Sequence, residues 1–236
     1  MGARSFMLAT RTPMSRDGFD TWLRTPLPDL DVIANPSAMY AGWALDGAEP
    51  DWDLTGVAAH CPSALAGLLT DRTKTPLALL APRAAQGFTL LRHRDEALEV
   101  CPYDHHGDET GTLTSLLMPA GAGRLARPGT EAPVLYWGGD VHPGLPMPGD
   151  EPHALMLVTP TGARFVDTYP LDTLIAALTP IETDFLAATV PGDDGNPAPD
   201  APALLDPALR ARPAPTEPTE HPCGPLLPAS EPPACP

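Results

Sequence analysis

The stretch HALMLVTPTGARFVD, residues 153–167, indicates the fold most clearly. Its apolar residues fall into two runs, and the residues TPTG at 159–162 separate them. Proline and glycine occupy favoured positions of a β-turn there, so the stretch predicts a β-hairpin formed by 153–158 and 163–167. Outward along the chain, residues 88–92 and 97–101 flank the polar residues 93–96 and predict a second hairpin.

Helical spacing of apolar residues recurs between these strands. Ser15 is a candidate N-cap before Phe19, Trp22 and Leu23, which would share one helix face. Residues 63–70, 113–117 and 171–178 repeat the pattern, and the capping-box sequence at 179–182 predicts that a new helix starts there. With further strands at 4–10 and 134–137, we expect an α+β fold, a single domain of antiparallel hairpins with short packed helices.

The composition changes near Val190. Residues 191–236 contain fourteen prolines and few large apolar side chains, so we expect a disordered, proline-rich acidic tail after a globular domain at 1–190. Within the tail, residues 203–210 (ALLDPALR) are less polar. They are interpreted as a patch of linker or as a short helix that docks on a partner, and removal of the tail is expected to leave folding intact.

Charge is the strongest global signal. The chain has 14 Lys and Arg against 30 Asp and Glu, a net charge of −16. Such a field repels phosphate backbones and anionic lipids, so we expect no nucleic acid and no membrane as partners. It would attract a basic protein, although solubility alone also explains a high net charge.

The expectations for compartment and cofactor rest on motifs that the sequence lacks. No apolar run approaches the ~18–20 residues of a membrane-spanning helix, and the N-terminal one is too short for a secretory signal. The cysteines at 61, 101, 223 and 235 form no CxxC pair, which favours reduced thiols and a cytoplasmic protein. No phosphate loop or dinucleotide fingerprint is present, so we expect no cofactor.

Cys61, His153 and Asp167 form a candidate catalytic constellation. Cys61 directly precedes the predicted helix at 63–70, whose N-terminus would favour a thiolate and an oxyanion. His153 opens one strand of the hairpin and Asp167 closes the other, as a base and its orienting carboxylate could. This chain order is similar to papain-like and transglutaminase-like cysteine enzymes, and the resemblance implies acyl transfer. The alternative interpretation is a buried structural Cys61 and a surface His153.

Imidazoles and carboxylates cluster in residues 104–109 (DHHGDE), with Asp140 and His142 further on. These side chains could bind zinc, but no ligand spacing repeats, and a polar loop explains the run equally well. We therefore predict no metal site.

Aromatic and acidic residues alternate between positions 40 and 53. Rings supply buried area and carboxylates attract Lys and Arg, so the pattern suits recognition of a basic protein surface. The alternative is that Tyr40 and Trp43 are core residues beside an acidic loop. The candidate binding residues are Tyr40, Trp43, Asp46, Glu49, Asp51, Trp52 and Asp53.

Two function classes stay open from the sequence. The first is a non-enzymatic, acidic protein-binding module that occludes a basic partner, as inhibitor or immunity-type proteins do. The second is a cysteine-dependent acyl-transfer enzyme that uses Cys61, His153 and Asp167.

Overall fold

The structure is a computed structural model that describes residues 5–40, 53–60, 62–102, 105–106, 109–139, 153–189 and 202–210. Among these residues, seven strands form one sheet in which every strand pairing is antiparallel. The strands are β1 (Ser5–Pro13), β2 (Thr89–Arg94), β3 (Ala97–Pro102), β4 (His105–His106), β5 (Ala132–Gly139), β6 (His153–Thr159) and β7 (Gly162–Phe165). Their order is β2-β3-β1-β5-β6-β7, and the two-residue β4 pairs with the start of β1.

Both predicted hairpins form, and each is tighter than its sequence pattern indicated. In β2–β3 the strands extend to Arg94 and from Ala97, and only Asp95 and Glu96 remain in the turn, with φ of 49° and 55°. Positive φ at both central residues is the type I′ geometry, whose twist matches that of the flanking strands.

Helices cover both faces of the sheet, which confirms the α+β prediction. They are α1 (Arg16–Arg24), α2 (Leu54–His60), α3 (Pro62–Thr70), α4 (Pro76–Ala85), α5 (Glu109–Ala122), α6 (Leu171–Thr189) and α7 (Pro207–Arg210). Sequence reasoning missed α2 and α4. Three-residue 3₁₀ turns lie at Leu30–Val32, Pro36–Ala38 and Gly123–Leu125.

The first face of the sheet packs against α1 to α5. Alternate residues such as Leu8 and Tyr136 meet Leu113, Leu116 and Leu117 of α5, as period-2 alternation along a strand allows. Ser15 caps α1 as predicted, since its hydroxyl accepts a bond from Gly18 N at 3.1 Å.

The second face packs mainly against α6, with Leu204 beside it. Leu174, Leu178, Ile181 and Phe185 form one apolar stripe over strand residues such as Leu155. The predicted restart at 179–182 is wrong: α6 is one helix with Pro180 inside it, and the Thr179 hydroxyl donates back to Ile175 O at 2.7 Å instead of capping a new helix. Burial of the continuous stripe outweighs the backbone bond that proline removes.

Irregular segments cover both edges of the sheet. At β7, Ala34 N donates to Ala163 O, and the Asn35 side chain bonds to both backbone groups of Phe165. At β2, Leu91 N donates to Leu204 O at 2.7 Å and Asp206 N donates to Leu91 O at 2.8 Å. Within the described residues, these contacts cover part of the β7 edge and part of the β2 edge, which limits pairing with a second chain there.

The predicted disorder from residue 191 is therefore wrong for residues 202–210. Leu204 and Asp206 are buried, and α7 follows them. The folded unit includes this segment as well as residues before 190, because its apolar and acidic side chains find partners on the body. The rest of the predicted tail lies outside the described residues.

None of the helices in the described ranges combines the length and the hydropathy needed to cross a membrane.

Candidate protein-binding site

Several connections leave the sheet at the end where β1 begins. There, Ser5 pairs with Gly139 at the end of β5 and with His106 of β4. Trp137 of β5 pairs with His153, the first residue of β6. Because neighbouring strands run antiparallel, β3 also ends here. The chain after Pro102 and the chain between Gly139 and His153 therefore start or end at one place.

Tyr40 and Asp53 are the two described members of the predicted binding set, and both have structural roles. Tyr40 packs on the core around Tyr136, which pairs with Ala154 near the start of β6. Burial raises the pKa of Tyr40 to about 12, with a smaller contribution from the charge of Asp53. Asp53 Oδ1 accepts a bond from Gly56 N at 2.8 Å in the first turn of α2. Together they hold the two ends of segment 41–52 beside β5 and β6.

The Tyr136 hydroxyl lies within the same core. It is 2.8 Å from Thr112 Oγ1 of α5, and burial raises its pKa strongly. A buried hydroxyl needs such a partner, so this bond fixes α5 against β5 beneath Tyr40. The anchors of segment 41–52 are thus part of a packed framework.

The segments that begin and end at this place are acidic. Residues 41–52, 103–108 and 140–152 contain no Lys or Arg and supply half of the net charge of −16. Their carboxylates belong to Asp46, Glu49, Asp51, Asp104, Asp108, Asp140, Asp150 and Glu151. Apart from 105–106 these residues, with the predicted binding residues Trp43 and Trp52, lie outside the described ranges. We call this end of the sheet, marked by Pro102, Gly139 and His153, the acidic end.

Carboxylates at the opposite end of the sheet are paired. Glu96 Oε2 lies 3.2 Å from Arg127 Nη2, and Glu131 Oε1 lies 3.3 Å from Arg164 Nη2. Asp95 is 3.9 Å from Arg94 Nε. The described acidic residues at the opposite end thus have arginine partners, and the three acidic segments contain no Lys or Arg in their own sequence.

The predicted catalytic residues are only partly described. His153 opens β6, and Asp167 is exposed and lies two residues beyond β7, where Val166 N donates to Leu155 O at 3.0 Å. This bond brings the backbone of Asp167 beside the start of β6. Cys61 lies outside the described residues, although α3 begins directly after it, at Pro62.

The helix α3, which begins directly after Cys61, and the strand β6, which begins at His153, can be compared by the sheet face on which their residues pack. Leu65 and Leu69 of α3 pack on the first face of the sheet, whereas Leu155 and Leu157 of β6 lie on the second face, under α6. The triad of Cys61, His153 and Asp167 stays a prediction.

Cys101, the free cysteine that the structure describes, is fully buried, and burial followed by the charge of Glu182 raises its thiol pKa to about 12. Such a thiol is no nucleophile at neutral pH.

No group of three or more His, Cys, Asp or Glu side chains within the described ranges is placed to hold a metal ion. His105 and His106 pair through their backbones with Phe6 and Ser5 of β1. Asp104, Asp108, Asp140 and His142 lie outside the described residues.

Sequence reasoning missed a buried charge network beneath α6. Arg92 Nε donates to Glu99 Oε2 at 2.7 Å, and Asp184 of α6 accepts bonds from Arg92 and Arg94. These bonds lower the pKa of Asp184 despite its partial burial. The network ties the β2–β3 hairpin to α6. Strand alternation places Arg92 and Glu99 as cross-strand partners, but nothing local in the sequence points to Asp184.

Comparison with known proteins gives no family for this chain: no protein-family model, no curated protein and no solved structure matches it. Its class therefore follows from fold and charge. It is an acidic α+β protein in which the described residues that flank three acidic segments lie near one end of the sheet.

Proposed function

We propose that this chain is a protein-binding module of the inhibitor or immunity type, whose acidic end engages and occludes a basic partner protein. The observation that carries the proposal is the convergence of the ends of three acidic segments, 41–52, 103–108 and 140–152, on one end of the sheet. These segments contain no Lys or Arg, so the negative potentials of their carboxylates add.

A rigid framework supports this role. The residues that flank the acidic segments belong to strands or pack on the core, as Gly139, His153 and Tyr40 do. Loops that carry recognition residues on a fixed scaffold lose less conformational entropy on binding than loops on a mobile one.

The residue types of segment 41–52 support recognition of protein rather than of a small cation. Trp43 and Trp52 can fill pockets of a partner, and aromatic anchors of this kind dominate interface energies. Asp46, Glu49 and Asp51 between them would pair with Lys or Arg of the partner and accelerate encounter.

A capture experiment tests the proposal. The tagged full chain is incubated with extract of its own source cells, bound protein is coupled with a zero-length carbodiimide that joins carboxylates to lysines, and coupled positions are mapped. We expect a partner with an excess of Lys and Arg, coupled at residues 46–51, 104–108 or 140–151. An acidic partner, or coupling confined to residues 95, 96 and 131 at the opposite end, contradicts the proposal.

Matched variants sharpen the result. D46N/E49Q/D51N removes three carboxylates from the acidic end, and D95N/E96Q/E131Q removes three from the opposite end. We expect the first variant to weaken binding of the captured partner at least about tenfold, about 1.4 kcal/mol, and the second to change it less than about twofold. Equal losses in both would show that net charge rather than the acidic end decides binding.

A further inference from the structure

The segment 203–206 lies along the outer edge of β2, the last strand of the sheet, in the way that an added strand would. Leu91 exchanges two backbone bonds with it, accepting from Asp206 N and donating to Leu204 O, and Leu91 and Leu205 form a parallel bridge. β-Strand addition of this kind is a general mode of peptide recognition, in which the backbone gives affinity and alternate side chains give specificity.

Successive side chains of the segment enter different parts of the molecule. Leu204 is buried with Leu90 and Phe185 on the second face of the sheet. Leu205 packs on the first face, in the core that contains Phe19 and Leu91. The two leucines therefore extend both cores beyond β2, as a strand at this edge would.

The Asp206 carboxylate accepts hydrogen bonds from several donors. Arg16 Nη1 and Nη2 donate to its two carboxylate oxygens at 2.8 and 2.9 Å, and His93 N donates to Oδ2 at 2.9 Å. Asp206 is 1% exposed, and these bonds lower its pKa. Bidentate pairing with a guanidinium demands a carboxylate in one orientation, so this contact is selective for Asp at the position.

Arg16 and His93, which supply these donors, are held in place by residues outside segment 203–206. The Arg16 guanidinium lies over the Phe19 ring at 5.0 Å from its centroid and is 3.7 Å from Asp20 Oδ1. His93 Nε2 is 3.0 Å from Met14 O, and its ring is 5.6 Å from Phe19. Arg16 and Asp206 are 190 positions apart in the chain. The site is thus built by α1 and β2, and its occupant arrives from a distant part of the sequence.

We propose that the outer edge of β2, with Arg16 and the His93 backbone, is a peptide-binding site. Its ligand class is an extended segment with two apolar residues followed by Asp-Pro, and residues 203–207 of the same chain occupy it. Residues 190–201 tether this occupant, and short tethers give effective concentrations in the millimolar range. A partner segment of the same chemistry binds only by displacing it. This site is distinct from the acidic end, and the two proposals stand or fall separately.

Cleavage of the full chain tests the site. A specific protease sequence is placed within residues 191–200, and the chain is cut, diluted and mixed with a fluorescent peptide of residues 202–210. We expect the peptide not to bind the uncut chain at ~10 μM and to exchange into the cut one, whose near-UV circular dichroism stays native. A body that unfolds as the segment leaves, or a cut chain that never exchanges, overturns the proposal.

Two variant peptides check the chemistry. Asp206→Asn in the peptide is expected to weaken binding to the cut chain at least about 30-fold, because Arg16 loses its charged partner. Arg210→Gln changes a charge at an exposed position, and we expect less than about a threefold effect. Equal binding of all three peptides shows nonspecific hydrophobic association and contradicts the proposed ligand class.

Discussion

Asp206 shows how much a single side chain can contribute to the stability of this protein. It is buried, it pairs with Arg16, and it accepts bonds from two backbone N–H groups, those of His93 and Ala208. We predict that Asp206→Asn lowers the free energy of unfolding by about 2–4 kcal/mol, because an amide cannot satisfy Arg16 and His93 N together. The measurement is urea unfolding of the full chain.

Asp20 provides the control for that substitution. It also faces Arg16, at 3.7 Å, but its side chain is 37% exposed. Exposed pairs contribute between zero and about 1 kcal/mol, so Asp20→Asn should leave the midpoint nearly unchanged. If Asp20→Asn and Asp206→Asn lower the free energy of unfolding equally, the burial of Asp206 does not explain its contribution.

The same carboxylate makes stability depend on pH. Hydrogen bonds and the Arg16 charge lower the pKa of Asp206 in the folded state below the value near 3.9 expected for the unfolded chain. Its contribution is therefore complete above that value and is lost as the pH falls through the folded pKa. We predict that the stability difference between wild type and Asp206→Asn shrinks from pH 6 to pH 3, measured by urea midpoints. A difference that stays constant over this range would contradict the assignment.

At the scale of elements, the 3₁₀ turn after α5 packs closely on the end of β6. A Cβ at Gly123, in the 3₁₀ turn after α5, would lie 2.6 Å from Val158 Cγ1 and still closer to the Thr159 carbonyl oxygen. We predict that Gly123→Ala costs more than about 3 kcal/mol, because backbone must move. At Gly67 of α3 nothing lies within 4 Å of the added Cβ, so Gly67→Ala should stabilise by up to ~1 kcal/mol. Thermal unfolding of both variants checks the pair.

Two truncations separate the C-terminal segments. Removal of residues 201–236 deletes the buried Leu204 and Asp206, and we predict a lower Tm. Removal of residues 211–236 alone keeps these contacts, and we predict an unchanged Tm within about 2–4 °C, the shift that ~1 kcal/mol causes at this size. Equal Tm values for the two truncated chains would show that the β2-edge contacts contribute nothing.

Elements with complete local signals could be predicted from the sequence. Ser15 with Phe19, Trp22 and Leu23 contains both the cap and the buried stripe of α1, and the structure confirms both. Pro180 misled the prediction, because its local meaning is a helix start and only the packing of α6 on the sheet overrides it. Residues 203–206 misled it as well, since their neighbours are prolines and their partners lie far away in the chain.

The candidate site was predictable to a smaller extent. The acidic and aromatic composition of residues 40–53 is visible in the sequence, but the roles of Tyr40 and Asp53 as anchors depend on Tyr136 and α2. The convergence of the residues that flank segments 103–108 and 140–152 depends on strand order. No local pattern predicts that β1 lies between β3 and β5.

For the molecule as a whole, we propose that charge at the acidic end steers a basic partner into contact. The direct test is the association rate constant of the full chain with the captured partner, measured from ~50 to ~500 mM NaCl. At physiological ionic strength salt screens interactions between charges more than about 8 Å apart, so added salt weakens steering while the docked contacts persist. We predict at least a tenfold fall in the association rate with little change in dissociation, and a flatter, slower profile for D46N/E49Q/D51N but not for D95N/E96Q/E131Q. An association rate that stays constant across this salt range, or equal profiles for the two variants, would rule out steering by the acidic end.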